Sequence, residues 1–368
     1  MKAPPKWRMP DLLRHPGTKS PLDSIIALVK RAPKGQPQVG TTPHSVVWTE
    51  NKWRLLRFAP TRPRFKTPVL LVPSLINRWY VLDLGPGRSV IEWLVAQGHD
   101  VFCIDWGTPG PEDRFLTWDD IAGRYLGRAV RVDARYGRST SPAGRSPSGS
   151  TSGSVHVLGY CLGGTLAVTY AAAFPEHVAS LIALAAPIDF DHGGLMATWT
   201  RTPTFDVGAI FEAFGNIPWP LMQASFNMLK PTLRLTKTVA LLDRAWDDEF
   251  LEGFLATERW GHDNVSFPGA CYVRYIEELY RRNRLITGGF TVAGRPSELS
   301  AIKCPVLALA FADDHIVPLP SAAPLVDRVA STDKQLVVQR GGHVGAVVSR
   351  KAADRLWPVM SEFWAQRS

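Results

Sequence analysis

Cysteine is scarce in this sequence. Its 368 residues contain four cysteines, and no two of them have Cys-x-x-Cys spacing. So few cysteines cannot form a disulfide scaffold in a chain of this length, and reduced thiols are expected. No metal site is predicted. With 45% hydrophobic and 20% charged residues, the chain can instead bury a large core.

An apolar N-terminal region is also missing. The first residues carry scattered charges, at Lys2, Lys6, Arg8, Asp11 and Arg14, where a signal peptide would have its hydrophobic region. This pattern predicts a cytoplasmic protein.

One long stretch lacks charged residues. Val155 to Phe174 contains no Asp, Glu, Lys or Arg and is about long enough to cross a bilayer. Gly159, Gly163 and Gly164 interrupt it, and glycine disfavours helix interiors. No membrane span is therefore predicted.

Acidic residues are few at the N-terminus. The formal net charge is +9, and residues 1–34 hold eight Lys or Arg against two Asp. Such a segment either binds an anionic partner or is a solvated tail, and the absence of a nucleic-acid motif argues against nucleic acid. Ser20-Pro21-Leu22-Asp23 is typical of a helix start. We predict that residues 1–44 form a basic segment with a short amphipathic helix from Ser24 to Arg31.

Strand-like and helix-like patterns alternate over residues 45–189 and again over residues 300–368. The predicted strands are Val46–Trp48, Trp53–Phe58, Pro68–Pro73, Asp100–Trp106, Val155–Gly159, Val178–Ala185, Pro305–Phe311 and Gln335–Gln339. The predicted helices are Arg88–Gln97, Trp118–Arg135, Leu162–Ala173, Ala322–Val329 and Ala346–Trp364. Repeated β-α-β units of this length predict a mostly parallel sheet with helices on both faces.

Two segments interrupt this alternation. Residues 137–154 are rich in Ser, Gly and Pro, which predicts a flexible surface loop. Residues 190–299 show helix-like patterns rich in aromatic residues such as Trp199, Phe211, Trp219 and Phe226. We interpret residues 190–299 as a cap subdomain inserted between the two parts of an α/β core.

Cys161 lies in the segment Gly159-Tyr160-Cys161-Leu162-Gly163-Gly164, between a predicted strand and a predicted helix. A nucleophile with glycines two residues before and after it, in this context, is typical of the nucleophile elbow of the α/β-hydrolase fold. A thiol at a helix N-terminus is favoured as thiolate, and an adjacent histidine would complete its activation. The alternative is that Cys161 is a small buried hydrophobic residue.

The partners of such a nucleophile follow it in the order acid, then histidine. Asp313 and Asp314 both follow strand Pro305–Phe311, and helix capping is the alternative role for either. His343 follows strand Gln335–Gln339 in a glycine-rich loop, where a plain surface histidine is the alternative.

Backbone amides are expected to form an oxyanion hole. One is the amide of Leu162, directly after Cys161, and the other comes from Leu75 or Ile76 after the strand Pro68–Pro73. The remaining candidates are weaker: His262, Asp263 and His315 for the pocket, Asp105 for structure, and Cys103, Cys271 and Cys304 for packing.

An ordered set of motifs carries a resemblance to a known family. The motifs are Ile76-Asn77-Arg78-Trp79-Tyr80-Val81-Leu82-Asp83-Leu84, Asp105-Trp106-Gly107, Thr117-Trp118-Asp119-Asp120, the Cys161 segment, Gly215-Asn216-Ile217-Pro218, Leu229-Lys230-Pro231, Leu279-Tyr280-Arg281-Arg282-Asn283-Arg284-Leu285, Asp314-His315-Ile316-Val317-Pro318 and Gly341-Gly342-His343-Val344-Gly345. From about Val69 onward the chain resembles a polyhydroxyalkanoate synthase and is most similar to the class III catalytic subunit. Asn77 and Tyr80 join His315 as pocket candidates.

The resemblance implies transfer of (R)-3-hydroxyacyl groups from coenzyme A thioesters to a growing polyester, with Cys161 as acyl carrier. The thioester is the substrate, and no cofactor is expected. The family pattern Asp-His-x-Val-Pro falls on Asp314. His343 would then deprotonate Cys161, while Asp314 assists the attack of the 3-hydroxyl group, either directly or by holding His343.

The resemblance also implies partners: a polyester granule surface in the cytoplasm, a second, smaller subunit, and further copies of the chain in a homo-oligomer. Residues 137–154 and the basic segment depart from the family pattern. Two alternatives remain. One is a cysteine-dependent hydrolase, a thioesterase or polyester depolymerase, and the other is a non-catalytic granule-associated protein.

Overall fold

The computed structural model describes residue 24, residues 37–139 and residues 154–368. The amphipathic helix predicted for Ser24 to Arg31 lies outside the described residues except for Ser24, which is helical. Most of the predicted loop 137–154 also lies outside them.

Eight strands form one sheet in the order β1-β2-β4-β3-β5-β6-β9-β10. Their bounds are β1 Ser45–Glu50, β2 Trp53–Phe58, β3 Val69–Val72, β4 Val101–Asp105, β5 Val155–Tyr160, β6 Val178–Leu184, β9 Val306–Phe311 and β10 Lys334–Gln339. Strand β2 pairs antiparallel with β1 and β4, and all other neighbours pair parallel. The predicted mostly parallel sheet is confirmed, because the α/β connections leave successive strands pointing the same way.

Helices cover this sheet. Those of the core are α1 Val90–Ala96, α2 Gly127–Ser139 with a preceding π-helical stretch Asp119–Leu126, α3 Leu162–Ala173, α11 Leu319–Ala322, α12 Pro324–Arg328, α13 Gly345–Val348, α14 Ala352–Arg355 and α15 Trp357–Ala365. Strand β5 shows how both faces are packed. Val155 and Val157 join one buried cluster, whereas Leu158 and Tyr160 join the other, because successive strand residues point to opposite faces.

Two predicted helices were wrong in extent. The predicted helix Ala346–Trp364 is three helices, because Ser349 adopts an extended backbone and Pro358, which has no amide proton, fits only in the first turn of a new helix. The predicted helix Ala322–Val329 is likewise divided, with Pro324 starting its second part.

Between β6 and β9 the chain leaves the sheet. It forms the helices α4 Gly194–Thr200, α5 Val207–Phe214, α6 Trp219–Leu229, α7 Leu233–Asp243, α8 Asp248–His262, α9 Gly269–Arg274, a π-helical stretch Tyr275–Arg281 and α10 Arg284–Thr287, followed by the hairpin β7 Thr291–Val292 and β8 Arg295–Pro296. The sequence did not predict this hairpin. Asn216 ties the segment to the core, since its side chain donates to the carbonyl of Gly110 at 2.6 Å.

The uncharged stretch Val155 to Phe174 divides into β5 and α3 around Cys161. Among the described residues, no helix is both long enough and apolar enough to cross a membrane.

Candidate active site

Cys161 occupies a strained turn between β5 and α3. Its backbone has φ 56° and ψ −128°, a conformation that residues with a side chain rarely adopt. Hydrogen bonds hold the turn: the Cys161 amide donates to the carbonyl of Leu184 at 3.0 Å, and the Cys161 carbonyl accepts from the amide of Gly164 at 2.8 Å. The turn places the thiol at the carboxyl end of the central strands, where it is half-buried.

The glycines around Cys161 are required by close packing. A Cβ atom on Gly163 would overlap the carbonyl oxygen of Val72 in β3, and one on Gly164 would overlap the side chain of Ala186. One on Gly159 would overlap Gly164 itself. These approaches let α3 start directly against the sheet, as a nucleophile elbow needs.

His343 and Asp314 form a buried hydrogen-bonded pair. The Nδ1 atom of His343 lies 2.7 Å from Oδ2 of Asp314, and their side chains are 6% and 0% exposed. The other oxygen, Oδ1, accepts from the amides of Ile316 and Val317 at 2.9 Å each. Asp314 therefore caps its own loop with one oxygen and holds the imidazole with the other.

Asp313 contacts Gly341 and not the His343 ring. It is exposed, and its Oδ2 accepts from the amide of Gly341 at 3.1 Å. The Asp313 amide donates to the Gly341 carbonyl at 3.2 Å. Asp313 thus fixes the start of the loop that carries His343, and Asp314 is the carboxylate that meets the ring.

The surroundings of His343 favour its protonated form. Burial disfavours the cation, but the electrostatic interaction with Cys161 and the hydrogen bonds with Asp314 and Cys161 outweigh it and raise the pKa of His343 to about 10. The electrostatic interaction between His343 and Cys161 completes a cysteine, histidine and aspartate arrangement. Such an arrangement can form a nucleophilic thiolate beside an imidazolium.

Tyr160 also positions His343, which the sequence analysis missed. The two rings stack with centroids 5.3 Å apart, and the Tyr160 hydroxyl donates to the His343 carbonyl at 3.1 Å. Burial raises the pKa of this phenol well above its usual range. The only signal in the sequence is that Tyr160 precedes Cys161 and must point to the opposite face of the sheet from its neighbours in β5.

A small cavity of about 70 Å³ lies against Cys161. Helix α6 covers it with Met222, Ser225 and Phe226. The complete lining is Ile76, Cys161, Leu162, Pro187, Met196, Met222, Ser225, Phe226, Phe267, Tyr272, Tyr275, Tyr280, Ile316 and Val317. The lining is largely apolar, and the residues in it with polar side-chain groups are Cys161, Ser225, Tyr272, Tyr275 and Tyr280.

Two backbone amides are candidates for the oxyanion hole. The amide of Leu162 is the first of α3, where helix amides lack an intrahelical acceptor. Ile76 lines the cavity, and its carbonyl accepts from the amide of Val265 in the inserted segment at 3.1 Å. The side chain of Leu75 lines a different cleft, beside Trp53 and Trp106.

The structure places the other pocket candidates away from the cavity lining. Asn77 donates to Asn264 at 2.5 Å, and the Tyr80 hydroxyl donates to Asp263. His315 is half-buried beside Asp314 and is not among the lining residues. His262 hydrogen-bonds to the carbonyl of Glu258 at 2.7 Å.

Asp105 and the three other cysteines have structural surroundings. Asp105 pairs with Arg54 at 2.6 Å. Burial raises the pKa of the Cys103 and Cys271 thiols well above the usual range, and that of Cys304 to about 11. Their thiols are therefore poor nucleophiles.

Two residues of the motif from Leu279 to Leu285, Asn283 and Arg281, make contacts that fix neighbouring loops. Asn283 has the left-handed backbone φ 47°, and its side chain accepts from the amide of Phe190 at 3.0 Å and donates to Asp189 at 2.9 Å. Arg281 donates to the carbonyl of Thr200 at 2.9 Å. These contacts lock the loop after β6 onto the π-helical stretch that carries Tyr280 into the cavity.

No group of three or more His, Cys, Asp or Glu that could hold a metal ion occurs within residues 37–139 and 154–368. The groups described at this site are the Cys161 thiol, the His343 imidazole, the Asp314 carboxylate and the backbone amides.

The family described as alpha/beta hydrolase fold matches residues 67–348, and the one described as the N-terminus of poly-beta-hydroxybutyrate polymerase (PhaC) matches residues 34–94. The second match begins well before Val69, so the predicted start of the family resemblance was too late. Among solved structures, a monoacylglycerol lipase of Paleococcus ferrophilus covers 86% of this chain and 100% of its own, with TM-score 0.53 and 16% identity. This likeness shows the α/β-hydrolase fold, as predicted.

Curated relatives share the poly(3-hydroxyalkanoate) polymerase subunit PhaC description. The protein of Haloferax mediterranei is 36% identical over 90% of this chain and 65% of its own length. Those of Thiocystis violacea and Allochromatium vinosum are each 32% identical over 89% of this chain and 90% of their own length. The chain thus spans about two thirds of the haloarchaeal relative and nearly all of the other two.

Proposed function

The chain belongs to the poly(3-hydroxyalkanoate) polymerase family, and from this premise we propose that it is an acyltransferase that builds a polyester through a thioester on Cys161. Its substrates are (R)-3-hydroxyacyl coenzyme A thioesters. The observation that carries the proposal is the half-buried Cys161 thiol at a strained strand-to-helix turn, in electrostatic contact with His343, which Asp314 holds.

Acylation begins when His343 takes the thiol proton of Cys161. The thiolate attacks the substrate carbonyl, a new C–S bond forms, and the bond to the coenzyme A sulfur breaks. His343 returns its proton to the leaving thiolate. The amides of Leu162 and Ile76 stabilise the negative charge on the carbonyl oxygen during the attack.

Elongation uses the same groups with an alcohol as nucleophile. The 3-hydroxyl group of the next substrate gives its proton to His343 as its oxygen attacks the Cys161 thioester. An ester C–O bond forms, the C–S bond breaks, and the proton returns to Cys161. Water would end the cycle, and the apolar lining of the cavity disfavours its entry.

Asp314 acts through His343 in this scheme. Its side chain is fully buried, Oδ1 is occupied by two amides, and Oδ2 binds the imidazole. With no exposed surface, the Asp314 side chain cannot meet a substrate hydroxyl without movement of the groups around it. The holding role is therefore favoured over direct activation of the 3-hydroxyl group.

We extend the proposal to the surroundings of the site. Residues 190–299 serve as a cap, because α6 covers Cys161 from within this segment. The growing chain places the enzyme at a polyester granule surface, and the homo-oligomer and the second subunit remain predictions.

The direct test is incubation of the purified protein with (R)-3-hydroxybutyryl coenzyme A. We expect release of coenzyme A together with insoluble polymer. Stoichiometric free 3-hydroxybutyrate without polymer would identify a hydrolase instead. Cys161→Ala should abolish coenzyme A release with the fold intact by circular dichroism, and unchanged release in that variant would contradict the nucleophile assignment.

A further inference from the structure

Two tyrosines share the cavity with Cys161 and have no role in the scheme above. Tyr275 and Tyr280 both line the cavity. Burial and the electrostatic interaction with Cys161 both raise the pKa of each phenol. A hydroxyl group can donate and accept hydrogen bonds at once. The pair therefore supplies polar groups beside the reacting sulfur in a largely apolar space.

A helix irregularity brings these two residues together. They are five positions apart in the π-helical stretch Tyr275–Arg281, which hydrogen-bonds from residue i to residue i+5. Residues five apart therefore lie on the same side of this stretch, whereas an α-helix would separate them by about 140° around its axis. The rare geometry thus places both phenols on the face that meets Cys161.

Neighbouring aromatic rings fix this arrangement. The Tyr275 and Tyr280 ring centroids are 5.2 Å apart with near-perpendicular planes, and Phe190 packs edge-on against both, at 5.7 Å and 4.9 Å. Trp118 stacks on Tyr275 at 6.0 Å. This packing holds both phenol rings in place before a substrate arrives.

We propose that the Tyr275 and Tyr280 hydroxyl pair binds the 3-hydroxyl group of the incoming substrate and holds its oxygen for attack on the Cys161 thioester. This inference rests on the proposed function and deepens it. Tyr280 donates to the 3-hydroxyl oxygen, which keeps a lone pair for the acyl carbon. The hydroxyl proton passes to His343, the C–O bond forms, and the C–S bond to Cys161 breaks.

The proposal predicts that the tyrosines serve elongation and not acylation. Butyryl coenzyme A has no 3-hydroxyl group, so it can acylate Cys161 but cannot itself attack a thioester. The test first loads the enzyme with butyryl groups, detected by intact mass spectrometry. Addition of (R)-3-hydroxybutyryl coenzyme A then converts the thioester to an ester, and the rates of the two steps are measured separately.

For Tyr280→Phe and Tyr275→Phe we expect ester formation to slow by at least about tenfold, as when one transition-state hydrogen bond is removed, while butyryl loading changes less than about threefold. The control is Tyr170→Phe, which removes a hydroxyl that bonds to His177 at 2.7 Å and belongs to a residue outside the cavity lining. It should leave both rates unchanged.

Three outcomes would overturn the proposal. They are unchanged ester formation in both variants, a parallel loss of loading and ester formation, and an equal loss in the variant Tyr272→Phe, since Tyr272 lines the same cavity outside the pair. A different result would contradict the proposed function itself: the wild-type protein would show no acylation of Cys161.

Discussion

The Tyr160 hydroxyl donates a hydrogen bond to the backbone carbonyl of His343 at 3.1 Å, and the two rings stack. The residue before the proposed nucleophile thus holds the residue proposed to activate it, although 183 positions separate Tyr160 from His343. Asp314 fixes the ring through Nδ1, and Tyr160 fixes the backbone of the same loop.

Tyr160→Phe tests this support. The variant keeps the stacked ring but leaves the buried His343 carbonyl without its donor, which costs about 1 to 3 kcal/mol of folding stability. We expect a lower kcat with little change in KM, because the His343 loop loses its orientation. Urea unfolding and steady-state coenzyme A release measure the two effects, and wild-type values for both would contradict a positioning role.

Asp314→Asn should lower the pKa of His343, because the hydrogen bond and the charge of Asp314 both raise it. Titration of the His343 ring by NMR checks this, with a wild-type transition expected near pH 10. Cys161→Ala removes the electrostatic contribution of the thiol and should also lower the pKa. No decrease in either variant would contradict the arrangement described for the site.

The raised pKa of His343 predicts a pH dependence of stability. The folded protein binds a proton at His343 that the unfolded chain releases near pH 6.5, so the stabilising contribution is complete below that pH and is lost as the pH rises through about 10. The difference in unfolding free energy between wild type and His343→Gln should therefore shrink from pH 6 to pH 10. A difference that stays constant over this range would refute the linkage.

Gly163→Ala should destabilise the fold strongly, because its Cβ would overlap the Val72 carbonyl, which cannot move without disturbing β3. Overpacking of this kind typically costs about 1 to 3 kcal/mol or more. Gly261→Ala is the matched control, since nothing lies within 4 Å of its Cβ position. Thermal unfolding should show a large decrease in the melting temperature of Gly163→Ala and no decrease in that of Gly261→Ala.

Asn283→Ala should destabilise the loop after β6, since alanine tolerates the left-handed backbone poorly and cannot bind Phe190 or Asp189. Asn283→Gly permits the backbone but still lacks the side chain. The two variants separate backbone strain from lost hydrogen bonds when their unfolding free energies are compared. Wild-type stability in both would contradict either cause.

Much of the fold and site could be predicted from local patterns. The strands Trp53–Phe58 and Pro305–Phe311 were found because short apolar runs and turn residues are local signals. Cys161, Asp314 and His343 could be selected because the order of the residues follows the order of the strands. The proposed roles of these three residues remain predictions.

The rest depended on packing that no local pattern reveals. The pairing of Tyr275 with Tyr280 needs a π-helical stretch, which leaves no mark in the apolar periodicity. Nothing in the sequence distinguishes Tyr160 from an ordinary buried strand residue, and nothing in it indicates that Asn77 bonds to Asn264 or that Tyr80 bonds to Asp263. The predicted helix Ala346–Trp364 is divided because Ser349 has an extended backbone and Pro358 starts a new helix.

Strand β10 lies at the edge of the sheet, and the loop after it carries His343. Domains generally fold as units, so the turn at Cys161 and the loop of His343 should form together, once β10 has been synthesised. A nascent or truncated chain that ends before β10 would carry the thiol without the histidine proposed as its base, and we expect no acylation of Cys161 in such a chain.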